Sequence, residues 1–138
     1  MPQTITRGYK AMVADAKKAI EEIEAQDAVK LAGSSAVVLV DLRDPRELER
    51  DGRIPGAFHC TRGMLEFWID PESPYYKPIF GEDKKFVFFC AGGMRSALAA
   101  KTAQDMGLKP AAHILGGFGA WKQAGGPVEM VPAKTKQG

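Results

Sequence analysis

The chain has 138 residues, 45% of them apolar and 26% charged, enough for one core and too mixed for wholesale disorder. Its 19 Lys and Arg against 17 Asp and Glu leave +2, spread along the chain, which excludes the basic footprint of nucleic-acid or anionic-membrane binding. Two cysteines exclude a disulfide framework, so Cys60 and Cys90 read as reduced thiols of a cytoplasmic protein, and His59 and His113 lack the spacing of zinc ligands.

No apolar run approaches a membrane span, and the N-terminal segment carries Asp15, Lys17, Lys18, Glu21 and Glu22 where a signal peptide would be apolar. Tyr9, Met12, Val13, Ala16 and Ile20 recur at helical spacing and predict an amphipathic helix over residues 8–19. This extension packs back on the domain or offers a homodimer contact. Residues 25–31 predict a short helix stopped at Gly33, and the run 36–40 (AVVLV) a strand buried on both faces. Asp44-Pro45-Arg46-Glu47 starts a helix that closes at Gly52: an acidic N-cap, proline at the first helical position and glutamate at the third.

Further along, residues 57–60 predict a short strand, 63–68 a helix, 70–82 a loop and 85–90 another buried strand. An alanine-rich helix comes next over 96–106, closed by Gly107 and Pro110, then a strand over 112–115 and a helix over 118–124. Strands alternating with helices predict an α/β domain with a mostly parallel sheet and helices on both faces. The domain spans residues 20–127, between the helical extension 1–19 and a flexible tail 128–138. No internal repeat is visible.

The chemistry gathers in Cys90-Ala91-Gly92-Gly93-Met94-Arg95-Ser96. A cysteine ending the run Phe86-Val87-Phe88-Phe89 reads, by itself, as a small buried hydrophobe. The six residues after it reverse that reading. Ala91, Gly92 and Gly93 let the backbone curl tightly, and Ser96 begins a helix, so amide hydrogens of the loop and first turn converge on one point. An anion is favoured there, and a thiolate at the strand end is favoured with it. The sequence therefore points to Cys90 as a nucleophile held at the carboxyl end of a parallel strand.

Three segments together resemble the rhodanese-like sulfurtransferase family: Val40-Asp41-Leu42-Arg43-Asp44-Pro45-Arg46-Glu47, then Gly52-Arg53-Ile54-Pro55-Gly56-Ala57, then the loop from Cys90 to Ser96, with Leu115-Gly116-Gly117 and Trp121 behind it. Arg53 stands where the family usually has histidine, and Arg95 is the one basic residue of the loop. The resemblance implies a sulfurtransferase that carries sulfane sulfur as a Cys90 persulfide, without metal or organic cofactor. It implies small-molecule or protein sulfur donors and acceptors. Residues 91–96 would cradle the substrate, namely Ala91, Gly92, Gly93, Met94, Arg95 and Ser96. Asp41 either orients Arg95 and the loop or caps a turn. Arg62 and Glu66 stand near the pocket mouth or on solvated surface, and Arg43 and Glu47 read as an ion pair.

His59 and Cys60 read as packing residues, with a resolving thiol as the alternative for Cys60. Gly116-Gly117-Phe118-Gly119 lacks the full spacing of a nucleotide loop, and tight packing near Trp121 accounts for it better. Two rival functions share the fold: a phosphatase or arsenate-handling enzyme working through the same cysteine, and a non-catalytic docking module. The phosphatases of this fold have one residue more between cysteine and arginine than the four found here, and histidine where this chain has Phe89.

Overall fold

A computed structural model describes residues 2–132. Its frame is a sheet of five strands, all parallel, in the order β1-β5-β4-β2-β3. These are β1 (Glu21–Ile23), β2 (Val37–Asp41), β3 (Phe58–His59), β4 (Lys85–Phe89) and β5 (Ala111–Ile114). β4 lies at the centre, with Val40 opposite Phe88 on one side and His113 opposite Phe88 on the other. The apolar runs of β2 and β4 are continuous because both faces of the sheet are covered. Val38, Val40, Phe86 and Phe88 enter one core, whereas Leu39, Val87 and Phe89 enter the other.

The helices are α1 (Tyr9–Ala19), α2 (Ala25–Leu31), α3 (Pro45–Asp51), α4 (Leu65–Ile69), α5 (Met94–Asp105) and α6 (Gly117–Gln123). α5 packs on the first core through Ala97, Ala99, Ala100 and Ala103, and these small side chains let the helix lie close on β4 and β5. α2 and α6 cover the opposite face through Ala28, Phe118 and Trp121. α3 starts as its residues dictate: Asp44 accepts from the Arg46 amide, Glu47 accepts from the Asp44 amide, and Pro45 opens the helix.

The extension joins the domain. Ala16 and Ile20 are buried in the first core, and the Gln104 side chain of α5 donates to the Ala19 carbonyl. The predicted apolar stripe is only half used, because Tyr9 and Met12 stay exposed. One strand is unforeseen and two other expectations need correction. The sequence gives no sign of β1; its Glu21-Glu22-Ile23 is an acidic edge strand with Ile23 alone buried. α5 begins at Met94, two residues before Ser96, because Gly93 turns the chain at φ +107° and frees Met94 to open the helix. The segment expected to run free from residue 128 instead returns to the domain, where Glu129 bridges Arg53 through both backbone and side chain. Residues 133–138 of that expected tail lie outside the described residues. No helix among the described residues is long and apolar enough to cross a membrane.

Candidate active site

β4 ends at Phe89, so Cys90 stands at the carboxyl edge of the central strand, where a doubly covered parallel sheet leaves its crevice. The residue is 1% exposed. The Gly93 amide donates to its Sγ at 3.1 Å, and α5 begins at the next residue. A helix start leaves its first-turn amides without intrahelical acceptors, so the positive end of the α5 dipole lies at the loop that holds the sulfur. Ser96 is wholly buried, with its Oγ 3.7 Å from Sγ.

The back of the loop is fixed by α6. The Phe118 amide donates to the Cys90 carbonyl at 2.8 Å and the Gly119 amide to the Ala91 carbonyl at 3.2 Å. Any Cβ at Gly117 would collide with the Cys90 carbonyl, which is why glycine stands there. The Gly116-Gly117-Phe118-Gly119 turn is thus the rear wall of the cysteine loop. It packs against Cys90 and Ala91, while Phe118 shares a core with Trp121 as the sequence indicates.

Arg95 leaves the loop and meets α3. Its two terminal nitrogens donate to the two oxygens of Glu47 at 2.8 and 3.1 Å. That hydrogen-bonded fork holds the Glu47 carboxyl at about 2, and the same contact, with a smaller contribution from Cys90, raises the Arg95 guanidinium. The expected Arg43–Glu47 pair is therefore wrong, and so is Asp41 as a support for Arg95. Arg43 precedes the N-cap of α3, off the helix face that carries Glu47, and folds inward onto Asp41 through Nε at 3.0 Å and Nη2 at 2.8 Å. The pair is buried, with Arg43 also donating to the Gly52 carbonyl and lying over the Phe118 ring at 4.1 Å. It ties β2, α3 and α6 together behind the loop.

Arg62 is also set apart. It pairs with Glu66 at 2.9 Å, one helical turn along, and lines a cleft of about 290 Å³ between α1 and α5 that Cys90 does not line. Met94 is exposed beside the loop, and Ala91 and Gly92 form its outer lip. Cys60 has no exposed surface, and burial pushes its thiol up to about 12, so packing is its role and a resolving function has no support. His59 holds the Arg43 carbonyl at 2.7 Å.

Two participants escape the sequence reading, His113 and Glu22, and a third, Glu47, has another partner than the one expected. Glu47 grips Arg95 in place of its expected partner Arg43. His113 is wholly buried, with Nδ1 at 2.8 Å from Ser96 Oγ and Nε2 at 2.8 Å from Glu22 Oε2. A histidine inside the small, apolar strand Ala111–Ile114 is the available signal, since a buried imidazole needs two partners.

Residues 24–124 match the rhodanese-like domain family. The chain belongs to that family. Among solved structures, a Rhodopseudomonas palustris protein described as of unknown function and a possible tyrosine phosphatase is 73% identical. It aligns over 94% of this chain and 99% of its own, with a TM-score of 0.91. The polysulfide-sulfur transferase homodimer of Wolinella succinogenes is 31% identical over 91% of this chain and 90% of its own, with a TM-score of 0.67. A mouse thiosulfate sulfurtransferase/rhodanese-like domain-containing protein is 28% identical over 66% of this chain, which spans 61% of the mouse protein's length. The rhodanese-like region thus takes in every strand of the sheet but β1, and it includes the whole cysteine loop.

Proposed function

We propose that this rhodanese-like chain is a sulfurtransferase that passes a sulfane sulfur through a persulfide on Cys90. The observation that carries the reading is the size and polarity of the cradle. Four residues separate Cys90 from Arg95, the Gly93 amide donates to the sulfur at 3.1 Å, and α5 begins at the next residue with its N-terminus at the loop. Such a ring suits an anionic sulfur one atom beyond Sγ.

In the first half-reaction the Cys90 thiolate attacks the outer sulfur of a donor such as thiosulfate or a protein persulfide. The new S–S bond forms as the donor's S–S bond breaks, and sulfite or the donor thiolate leaves with the bonding pair. The persulfide anion rests against the amides. In the second half-reaction an acceptor, cyanide or a thiolate, attacks that terminal sulfur, and the electron pair returns to Cys90. Neither step calls for an outside oxidant or reductant.

The description of the Rhodopseudomonas palustris protein raises a phosphatase as the rival. The loop weighs against it, because the ring is one residue shorter than the resemblance implies for phosphatases and Glu47 already occupies both arms of the Arg95 fork. A docking module has no need of a buried cysteine facing open amides.

Intact mass after incubation with thiosulfate decides the class. The expected result is one added sulfur atom, lost on addition of cyanide and never acquired by Cys90→Ala. An unaltered mass after incubation with thiosulfate, polysulfide and a protein persulfide would overturn the reading.

A further inference from the structure

A chain of polar side chains leads from the cysteine sulfur through the sheet to its edge. Cys90 Sγ lies 3.7 Å from Ser96 Oγ, Ser96 Oγ 2.8 Å from His113 Nδ1, and His113 Nε2 2.8 Å from Glu22 Oε2. Lys17 of α1 stands 3.6 Å from the same carboxylate oxygen. Ser96 and His113 have no exposed surface, whereas the Glu22 side chain is 26% exposed. One end of the chain is the reacting atom and the other meets solvent.

The direction of each hydrogen bond is set from the far end. The Glu22 carboxylate offers oxygen acceptors, with the Lys17 ammonium beside the same oxygen, so Nε2 carries the imidazole hydrogen. Nδ1 is then a bare lone pair. The hydrogen that can reach it belongs to Ser96, whose other acceptor, the Gly93 carbonyl, is more distant at 3.3 Å. With its hydrogen committed to Nδ1, Ser96 Oγ presents lone pairs to Cys90, and the thiol donates.

We propose that Ser96, His113 and Glu22 are a relay that draws the proton from the Cys90 thiol, a role that deepens the sulfurtransferase reading and rests on Cys90 being its nucleophile. Ser96 touches the sulfur and is catalytic; His113 and Glu22 act through it and are positioning residues. As the thiolate forms, the thiol proton passes to Ser96 Oγ and the hydroxyl proton passes to His113 Nδ1. The product is a thiolate that accepts from Ser96, beside an imidazolium paired with Glu22. No atom or electron is gained or lost, and the excess proton leaves to water through the exposed carboxylate.

The charged groups bearing on the ring are Glu22 from β1 and Lys17 from α1; β4 sets Phe88 opposite it in register, and α5 offers Ser96. Burial pulls the imidazole below its ordinary range more strongly than Glu22 raises it, and the Lys17 charge lowers it slightly further. A resting imidazole that is neutral can accept a proton. The unforeseen strand β1 and the extension α1 thereby gain a purpose, since they bring Glu22 and Lys17 to the relay.

The test is alkylation of Cys90 by iodoacetamide, read on its own peptide by mass spectrometry, from about pH 5 to about pH 9. The wild type is compared with Ser96→Ala, Ser96→Thr and Glu22→Gln. Near neutrality Ser96→Ala is expected to slow alkylation by roughly 100-fold, the lower end of the scale of a positioned base, and Ser96→Thr to restore most of the rate. Glu22→Gln, on the partly exposed edge strand, is expected to slow it several-fold. All variants should converge on the wild type at high pH, where hydroxide removes the proton. Equal losses at every pH, or no loss in Ser96→Ala and Glu22→Gln, would overturn the relay. Sulfur uptake from thiosulfate by the same proteins separates the two claims. Uptake with an unmoved pH profile leaves the sulfurtransferase and ends the relay, whereas a moved profile without uptake from any donor does the reverse.

Discussion

Replacing Glu47 by Gln removes the charge that holds Arg95 and keeps an oxygen for the Asp44 amide, so the cap of α3 survives while the fork is lost. Glu47 sits at about 2 in the folded chain against an ordinary 4.5. That gap corresponds to about 3 kcal/mol for a dry pair. The Arg95 side chain is 42% exposed, and solvent screening reduces the figure to roughly 1–2 kcal/mol. The sign is fixed by the direction of the shift. A depressed carboxyl stabilises the fold above its unfolded value and loses that contribution as pH falls from about 5 towards 2. Urea unfolding, followed by far-ultraviolet circular dichroism, should therefore put Glu47→Gln about 1–2 kcal/mol below the wild type at pH 7. At about pH 2.5 roughly a quarter of that gap should remain. A stability gap that stays constant from neutral to acid pH would refute the reasoning, because it would trace the loss to the helix cap and not to the ion pair.

Cys90→Ala is expected to abolish sulfur transfer from thiosulfate to cyanide and Cys60→Ala to retain most of it, measured as thiocyanate formed. Arg95→Lys should lower sulfur uptake from thiosulfate and from an uncharged sulfur donor alike, since one ammonium cannot copy the planar fork that holds Glu47; a rise in KM for thiosulfate alone would mean that Arg95 also reaches the anion. Gly117→Ala forces a side chain into the Cys90 carbonyl at a backbone φ of +60°, and should lower the melting temperature by several degrees and remove sulfur uptake. Gly119→Ala, whose added carbon meets Ala91 at an ordinary 3.6 Å, should do neither. The unmodified chain should show no hydrolysis of aryl phosphates, and a glycine inserted between Gly93 and Met94 should weaken persulfide transfer by widening the ring; robust phosphate release by the wild type would reverse the functional reading.

The parts of the fold legible in the sequence are those dictated by neighbours along the chain. α3 announces itself through Asp44, Pro45 and Glu47, and the two central strands through uninterrupted apolar runs. β1 does not, because three residues with two glutamates resemble a solvated turn until β5, some 90 positions away, pairs with them. The same divide separates the site residues. Cys90 and its glycines are a local pattern, whereas the Ser96–His113–Glu22 contacts join three elements that meet only in the folded sheet. The Arg43–Glu47 error has a local cause of its own. Spacing of four implies a shared helix face only inside a helix, and Arg43 lies before the cap.

The two hydrogen bonds from α6 to the carbonyls of Cys90 and Ala91 carry a consequence for energetics at the sulfur. A peptide unit whose oxygen is anchored cannot rotate, so its hydrogen end is committed to the opposite side. The loop therefore presents donors before any anion arrives, and in the transfer proposed above the dipoles need not swing round as charge builds on the outer sulfur. In water the same stabilisation would require solvent to reorganise at each turnover. Here that reorganisation was completed when the chain folded, and its cost is carried by the stability of the α6 contact rather than by the barrier to transfer. Loosening α6 should therefore slow the chemistry even where every atom that touches sulfur is left in place.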